Sequence, residues 1–245
     1  MPDRFDAVFF DLGGTLFSYR SFRQPMSEVI CEAGRRLGSD LDPAALHHAF
    51  NLAGGRAAAS VSQQCFYLHR DLFLNTYREF ANALTGDDAK DEFLDWFYTE
   101  QRRTMIDHMQ LRHDCVTTLQ RLRASGHCVA IVSNIDDDFL EPMVTRSGLA
   151  ACVDRWTSSE AAGSCKPDAR FFRVCLEHAG HCAERVLFVG DSPVHDIAGA
   201  RALGMTTVLI EEDGVPPPGQ DGGTPGEPHF RIQQLSELLH IVDND

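Results

Sequence analysis

The sequence predicts an α/β fold with a parallel-sheet core and an inserted helical domain. Short, fully apolar segments recur along the chain, each ends in polar residues, and helix-like segments follow most of them. One long stretch after the first of these segments carries helical periodicity and contains no comparable strand. Fully apolar strands that alternate with amphipathic helices are typical of a parallel sheet covered on both faces.

Four segments carry the strand pattern: residues 5–10, 128–132, 186–189 and 206–210. Each is short, apolar and bounded by polar residues or glycine, as expected for buried strands. Ligands of such sheets bind beyond the carboxyl ends of the strands. The polar residues that follow these segments are therefore the first candidates for a functional site.

The remaining stretches set the domain boundaries. Residues 18–111 predict a helical cap domain with a break at Gly54-Gly55, and residues 1–17 and 112–245 predict the α/β core domain. Residues 211–228 are rich in proline, glycine and acids, which predicts a long surface loop. The apolar spacing of residues 231–242 predicts a last amphipathic helix.

Charge and cysteine content exclude several classes of protein. The formal net charge is −14, from 36 acidic against 22 basic residues, which argues against binding to nucleic acid or to anionic membranes. The eight cysteines show no Cys-x-x-Cys pair, and no apolar stretch reaches the length of a membrane span. We therefore expect a cytoplasmic protein, a monomer or a homodimer, with reduced thiols.

The first strand ends in Asp11-Leu12-Gly13-Gly14-Thr15. The small residues let backbone amides approach a ligand, and an aspartate at a strand end can serve as a nucleophile or as a metal ligand. Tyr19, Arg20 and Arg23 follow this loop and are candidates for contact with a second anionic group or, alternatively, for simple surface exposure.

Three later strand-end features add to this loop. Ser133-Asn134 offers a hydroxyl and an amide suited to phosphoryl oxygens. Lys166, one of only two lysines, precedes a proline expected at the first position of a helix, where a helix N-terminus also attracts anions. Asp191 and Asp196 are spaced so that both can offer oxygen ligands to Mg²⁺, with Ser192 as the N-cap of the helix between them.

These four pieces, in this order, resemble the haloacid dehalogenase superfamily of hydrolases. Asp11 to Thr15 is similar to its first motif, Ser133 to the second, Lys166 to the third, and Gly190-Asp191 through Asp196 to the fourth. The position of the helical insert also resembles the subclass whose cap lies between the first two motifs. The resemblance implies a Rossmann-like core, an enzyme of the phosphatase type, and a small phosphorylated metabolite as its substrate.

The resemblance also implies roles for individual residues. Asp11 would attack phosphorus to form an aspartyl-phosphate, and Lys166 would pair with the phosphoryl oxygens and keep Asp11 ionised. Thr15, Ser133 and Asn134 would position phosphate or water. The ligands that the resemblance implies for Mg²⁺ are Asp11, Asp191, Asp196 and the main-chain carbonyl of Gly13.

One residue departs from the family pattern. The phosphatases of this superfamily carry a second aspartate, two residues after the nucleophile, as the general acid and base, and here that position is Gly13. The substrate can therefore have a good leaving group, or the cap or the substrate can supply the proton. The alternatives to a phosphatase are a phosphate-binding protein without turnover, a phosphonate hydrolase, and a haloacid dehalogenase.

Overall fold

The computed structural model describes residues 5–212, 214 and 223–243. The chain divides into two compact units, one of Met1–Tyr19 with Gln110–Asp245 and one of Arg20–Met109. The first carries the sheet and is called the core unit, and the second is called the helical unit. No helix in the described ranges has both the length and the apolar character needed to cross a membrane.

The core unit is built on a six-stranded sheet whose neighbouring strands are all parallel. In chain order the strands are β1 (Ala7–Phe10), β2 (Cys128–Ser133), β3 (Arg155–Ser158), β4 (Val186–Gly190), β5 (Thr206–Ile210) and β6 (Phe230–Ile232). The spatial order is β3-β2-β1-β4-β5-β6, so β1 lies between β2 and β4. The predicted α/β class with a parallel sheet is confirmed.

Ten α-helices are present in the described part of the chain. They are α1 (Arg20–Arg36), α2 (Pro43–Val61), α3 (His69–Thr85), α4 (Asp91–His108), α5 (Cys115–Ala124), α6 (Asp137–Arg146), α7 (Ser159–Ala162), α8 (Ala169–Ala179), α9 (Gly199–Ala202) and α10 (Leu238–Asp243). The first four form the helical unit. A π-helical turn, Pro193–Ala198, follows β4 and leads directly into α9.

The core of the helical unit is aromatic. Phe97 of α4 stacks on Tyr77 of α3 with ring centroids 4.2 Å apart, and on Phe50 of α2 at 5.7 Å. The predicted break at Gly54-Gly55 is wrong, because α2 continues through both residues. A glycine within a helix costs only about 1 kcal/mol, and the packing of α2 against α3 and the surrounding alanines outweigh that cost.

Both faces of the central strands are buried, as the apolar strand pattern predicts. All four residues of β1 and all five of β4 are buried. On one face Phe9 and Phe188 belong to a cluster with Phe171 and Phe172 of α8. This packing fixes the carboxyl ends of β1, β2 and β4 side by side, which is where the candidate site residues lie.

Two details differ from the sequence predictions, and a third prediction is only partly covered by the described residues. Pro167 is not the first residue of a helix, because α8 begins at Ala169 and its N-cap is Asp168. The predicted helix over residues 231–242 begins with β6 instead, since Phe230–Ile232 pairs with β5 and completes the sheet edge. The predicted loop 211–228 lies partly outside the described residues.

Candidate active site

Asp11 lies at the centre of the site because β1 lies at the centre of the sheet. It directly follows β1 and is 7% exposed. The neighbouring strands β2 and β4 end in Ser133 and Gly190, so Ser133 and Asp191 approach Asp11 from either side. The Ser133 hydroxyl donates a hydrogen bond to Asp11 Oδ1 at 3.2 Å.

Lys166 provides the positive charge of the site. Its side chain is 2% exposed, and its Nζ donates to Asp11 Oδ1 and to Asp196 Oδ1, each at 2.6 Å. A third bond goes to the carbonyl of Val132 at 3.2 Å. Burial alone would lower the pKa of Lys166, but the charges of Asp11 and Asp196 outweigh it and raise that pKa, so the ammonium keeps its proton.

Asn134 holds the backbone of Lys166 in place. Its Oδ1 accepts from the Lys166 amide at 2.7 Å, and its Nδ2 donates to the Lys166 carbonyl at 2.9 Å. The Lys166–Pro167 peptide is cis. The side-chain amide of Asn134, which the sequence suggested for phosphate, is therefore engaged with the loop that carries the lysine.

Three carboxylates meet at this edge of the sheet. Asp11, Asp191 and Asp196 each offer one oxygen, and these oxygens lie within 4.8 Å of one another. Burial raises the pKa of Asp11 to about 6, with Lys166 opposing the shift and Asp196 adding to it. Burial and the charges of Asp11 and Asp196 also hold the pKa of Asp191 well above its usual value. Such a cluster favours a bound cation.

The turn after β4 places Asp196. Ser192 is the N-cap of the π-helical turn, as predicted, and its hydroxyl accepts from the His195 amide at 2.9 Å. The Ser192 amide donates to Asp196 Oδ2 at 3.0 Å. The Asp196 carboxyl occupies the space that a Cβ on Gly190 would need, so glycine at this position allows the close approach.

The two glycines after Asp11 make room for different side chains. Gly14 has a φ of +70°, and a Cβ on it would collide with the Asp191 carboxylate. A Cβ on Gly13 would collide with the Tyr19 hydroxyl. The loop itself is held by Arg112, whose guanidinium donates to the carbonyls of Gly14 at 2.6 Å and Thr15 at 2.9 Å.

Thr15 contributes a buried hydroxyl to the site. The residue is fully buried, and its Oγ1 has no hydrogen-bond partner among the described residues. A buried hydroxyl without a partner costs free energy, and such groups at functional sites commonly bond to a ligand or to water. Thr15 therefore suits the phosphate or water contact that the sequence suggested.

The sequence suggests Tyr19 for contact with a second anionic group, not for a position against Gly13, and it does not suggest Arg112 at all. Burial and the charges of Asp191, Asp11 and Asp196 hold the pKa of Tyr19 well above its usual value, so its hydroxyl stays protonated. Tyr19 is six residues from Gly13, and Arg112 is far from it in sequence, so no local motif links either residue to the loop.

Comparisons with known proteins show the family of the chain. A family model described as haloacid dehalogenase-like hydrolase matches residues 5–204. The chain is 29% identical over 246 residues to a ribulose-1,5-bisphosphate 5-phosphatase of Halopiger xanaduensis, which covers 96% of this chain and 98% of the relative. It is 28% identical over 213 residues to (S)-2-haloacid dehalogenase 4A of Burkholderia cepacia, covering 83% of this chain and 89% of that protein.

The solved structures show the same fold. A HAD-hydrolase from Bacillus subtilis, bound to magnesium, superposes with a TM-score of 0.75 at 20% identity, covering 98% of this chain and 99% of that chain. An L-2-haloacid dehalogenase from Xanthobacter autotrophicus gives a TM-score of 0.71 at 19% identity, with 98% of each chain covered. Both proteins therefore share the fold of this chain.

Proposed function

Because the chain belongs to the haloacid dehalogenase-like hydrolase family, we propose that it is a magnesium-dependent phosphatase acting on a small phosphorylated metabolite. The observation that carries the proposal is the group of three carboxylates, Asp11, Asp191 and Asp196, beyond the carboxyl ends of β1 and β4. Dehalogenation at an aspartate needs no metal, whereas phosphoryl transfer gains from a cation that offsets charge at phosphorus.

The residues present fit Mg²⁺. The carboxylates are hard oxygen donors. Burial, together with the neighbouring negative charges, raises the pKa of Asp11 and of Asp191, and a bound cation would offset both effects. Asp11, Asp191, Asp196 and the carbonyl of Gly13 would hold the ion, with Asp196 directly or through water. A bound Mg²⁺ supplies charge neutralisation and orientation of the phosphoryl group.

Asp11 is the proposed nucleophile. Lys166 and Ser133 both bond its Oδ1, which orients the carboxylate and leaves Oδ2 to attack phosphorus. The attack forms an aspartyl-phosphate on Asp11, and water then hydrolyses it. Lys166 also keeps a positive charge beside Asp11, which favours the ionised nucleophile and attracts the phosphoryl oxygens.

The neighbouring polar groups position the reactants. The free Oγ1 of Thr15 and the Ser133 hydroxyl contact the phosphoryl group or the attacking water. Asn134 acts indirectly, because its side-chain amide holds the Lys166 backbone at both the N–H and the carbonyl. Asp196 fixes the other side of the Lys166 ammonium.

The absence of a carboxyl group at Gly13 shapes the substrate preference. General acid and base catalysis by such a group contributes about 10²–10⁴-fold in rate, or roughly 3–5 kcal/mol of barrier. We therefore propose that the enzyme favours phosphoryl groups on good leaving groups, such as acyl phosphates and anhydrides. Phosphate esters of simple alcohols are expected to react more slowly.

A substrate panel tests the proposal. Acetyl phosphate, p-nitrophenyl phosphate, ribulose-1,5-bisphosphate, a phosphonate next to a carbonyl and 2-chloropropionate are incubated with Mg²⁺ or with EDTA. We expect phosphate release that requires Mg²⁺ and is fastest for acetyl phosphate. Chloride release that persists in EDTA would instead identify a haloacid dehalogenase. Binding of inorganic phosphate with no turnover of any compound would identify a phosphate-binding protein.

We also propose a compartment and an oligomeric state from the sequence. A net charge of −14 disfavours nucleic acid and anionic membranes as partners, and eight cysteines without a Cys-x-x-Cys pair suit a cytoplasmic protein. We propose that the enzyme works there as a monomer or a homodimer. Light scattering during size-exclusion chromatography distinguishes these two states from larger assemblies.

A further inference from the structure

The backbone explains the glycine at position 14 but not the one at position 13. Gly14 has a φ of +70°, a region that residues with a Cβ rarely adopt. Gly13 is absent from the glycines with positive φ, so its backbone conformation is open to other residues. The reason for glycine at position 13 must therefore lie in the space around it.

That space is filled by the phenol of Tyr19. An ideal Cβ on Gly13 would collide with the Tyr19 hydroxyl and lie 3.0 Å from Cζ and 3.4 Å from Cε1. The other edge of the same ring would lie 2.8 Å from a Cβ on Gly14. The ring thus lies along the two glycines, and its hydroxyl occupies the volume where a side chain at position 13 would begin.

We propose that the Tyr19 hydroxyl serves as the general acid and base of this enzyme, in the space that a carboxyl side chain at position 13 would use. The inference rests on the proposed phosphatase function. A phenol can donate a proton to a leaving oxygen and then take one back from water. It is a far weaker acid than a carboxyl group, so the proposed preference for good leaving groups stands. The hydroxyl of Tyr19, six residues along the chain, then replaces the acidic side chain that position 13 lacks.

Tyr19 alone can supply the proton needed in the first chemical step and regain one in the second. Asp11 bonds to phosphorus while the bond from phosphorus to the leaving oxygen breaks, and that oxygen takes the electron pair and the Tyr19 proton. Water then attacks phosphorus and gives a proton to the Tyr19 phenolate, and the bond between phosphorus and Asp11 breaks. Phosphate, the Asp11 carboxylate and the Tyr19 phenol result.

A leaving-group series tests the role of the hydroxyl. The p-nitrophenyl, phenyl and benzyl phosphates have similar shapes but increasingly basic leaving oxygens, so the need for a proton rises along the series. Tyr19→Phe is expected to lower kcat/KM for benzyl phosphate by about 10²-fold and for p-nitrophenyl phosphate by much less. Tyr77→Phe is the matched control, because it removes a buried hydroxyl from the helical unit, and the ratio between the substrates should stay at the wild-type value.

The outcomes separate the two proposals. If wild-type protein releases no phosphate from p-nitrophenyl phosphate or acetyl phosphate, the phosphatase proposal itself fails. If wild-type protein is active and Tyr19→Phe leaves the ratio of benzyl to p-nitrophenyl rates unchanged, only the role of Tyr19 is overturned, and the ring is a space-filling group.

A rescue variant adds a second test. Gly13→Asp alone would place its Cβ against the Tyr19 ring, whereas Gly13→Asp combined with Tyr19→Ala clears that space. The double variant is expected to hydrolyse benzyl phosphate at least about tenfold faster than Tyr19→Ala, because a carboxyl group then supplies the proton. A double variant no faster than Tyr19→Ala contradicts the proposed equivalence of the two groups.

Discussion

Both units bury aromatic side chains, but the core unit also buries charged ones at its site. Asp11, Lys166 and Asp196 of the core unit are charged and are all less than a tenth exposed, whereas Phe97 and Tyr77 of the helical unit are fully buried aromatic residues. Buried ion pairs add little net stability because desolvation offsets their attraction, whereas packed aromatic rings add several kcal/mol. Removing a carboxylate of the site should therefore affect activity more than stability, and removing a packed aromatic ring should affect stability.

The largest expected effect on activity comes from the core unit. Asp11→Asn is expected to lower kcat for acetyl phosphate by at least about 10⁴-fold, because an amide cannot act as the nucleophile. The free energy of unfolding should not fall, since the substitution removes one of three negative charges that lie close together. Phosphate release and urea unfolding measure the two effects, and a variant within tenfold of wild-type kcat refutes the assignment of Asp11.

A substitution in the aromatic core of the helical unit should instead lower the stability of the protein. Phe97 contacts five neighbouring aromatic rings, those of Phe50, Tyr77, Phe80, Phe93 and Trp96. Phe97→Ala is expected to lower the free energy of unfolding by about 3–5 kcal/mol because it leaves a cavity. Leu52→Ala, at a half-exposed position of α2, is the control and should change it by no more than about 0.5 kcal/mol. Equal losses for the two variants would contradict an aromatic core centred on Phe97.

The two lysines of the chain provide a matched pair across the units. Lys166 is buried between Asp11 and Asp196, whereas Lys90 is exposed at the N-cap of α4. In EDTA, Lys166→Met is expected to lower the free energy of unfolding by about 3–5 kcal/mol, because two buried carboxylates lose their cationic partner. Lys90→Met should change it by no more than about 0.5 kcal/mol. Chemical denaturation of both variants makes the comparison, and a Lys166 variant as stable as the Lys90 variant would show that the pairing does not stabilise the fold.

The regular strands of the core unit explain which site residues could be predicted from the sequence. Asp11, Ser133 and Asp191 are predictable because each lies at the carboxyl end of an apolar strand, and the parallel pairing of β1, β2 and β4 brings these strand ends together. Local patterns suffice wherever the position of a residue follows from the strand that carries it. The parallel α/β class and the family follow from this part of the sequence.

Contacts between loops were not predictable in this way. The bonds from Asn134 to Lys166 and from Arg112 to the Gly14 carbonyl join residues far apart in sequence and depend on the paths of irregular segments. Strand β3 was missed because Arg155 and Trp156 are only half-buried, as expected at a sheet edge, and the segment lacks the fully apolar pattern of the central strands. Edge strands and loop contacts are set by tertiary packing more than by local composition.

The smallest expected effect is a difference in thiol reactivity that leaves the fold intact. Cys65 of the helical unit and Cys182 of the core unit are exposed, whereas Cys115 and Cys175 are buried in the core unit. Burial raises the pKa of both buried thiols to about 12. Since the thiolate is the reactive form, a thiol with that pKa is only about 10⁻⁵ ionised at neutral pH.

Iodoacetamide at neutral pH should therefore label Cys65 and Cys182 in the native protein and reach Cys115 and Cys175 only after denaturation. Peptide mass spectrometry of native and urea-treated samples measures the labelling at each site. Cys182 is the internal control, because it shares the core unit with the buried thiols but not their burial. Native labelling of Cys115 at the rate of Cys182 would show that the core unit opens more readily than its packing around α5 indicates.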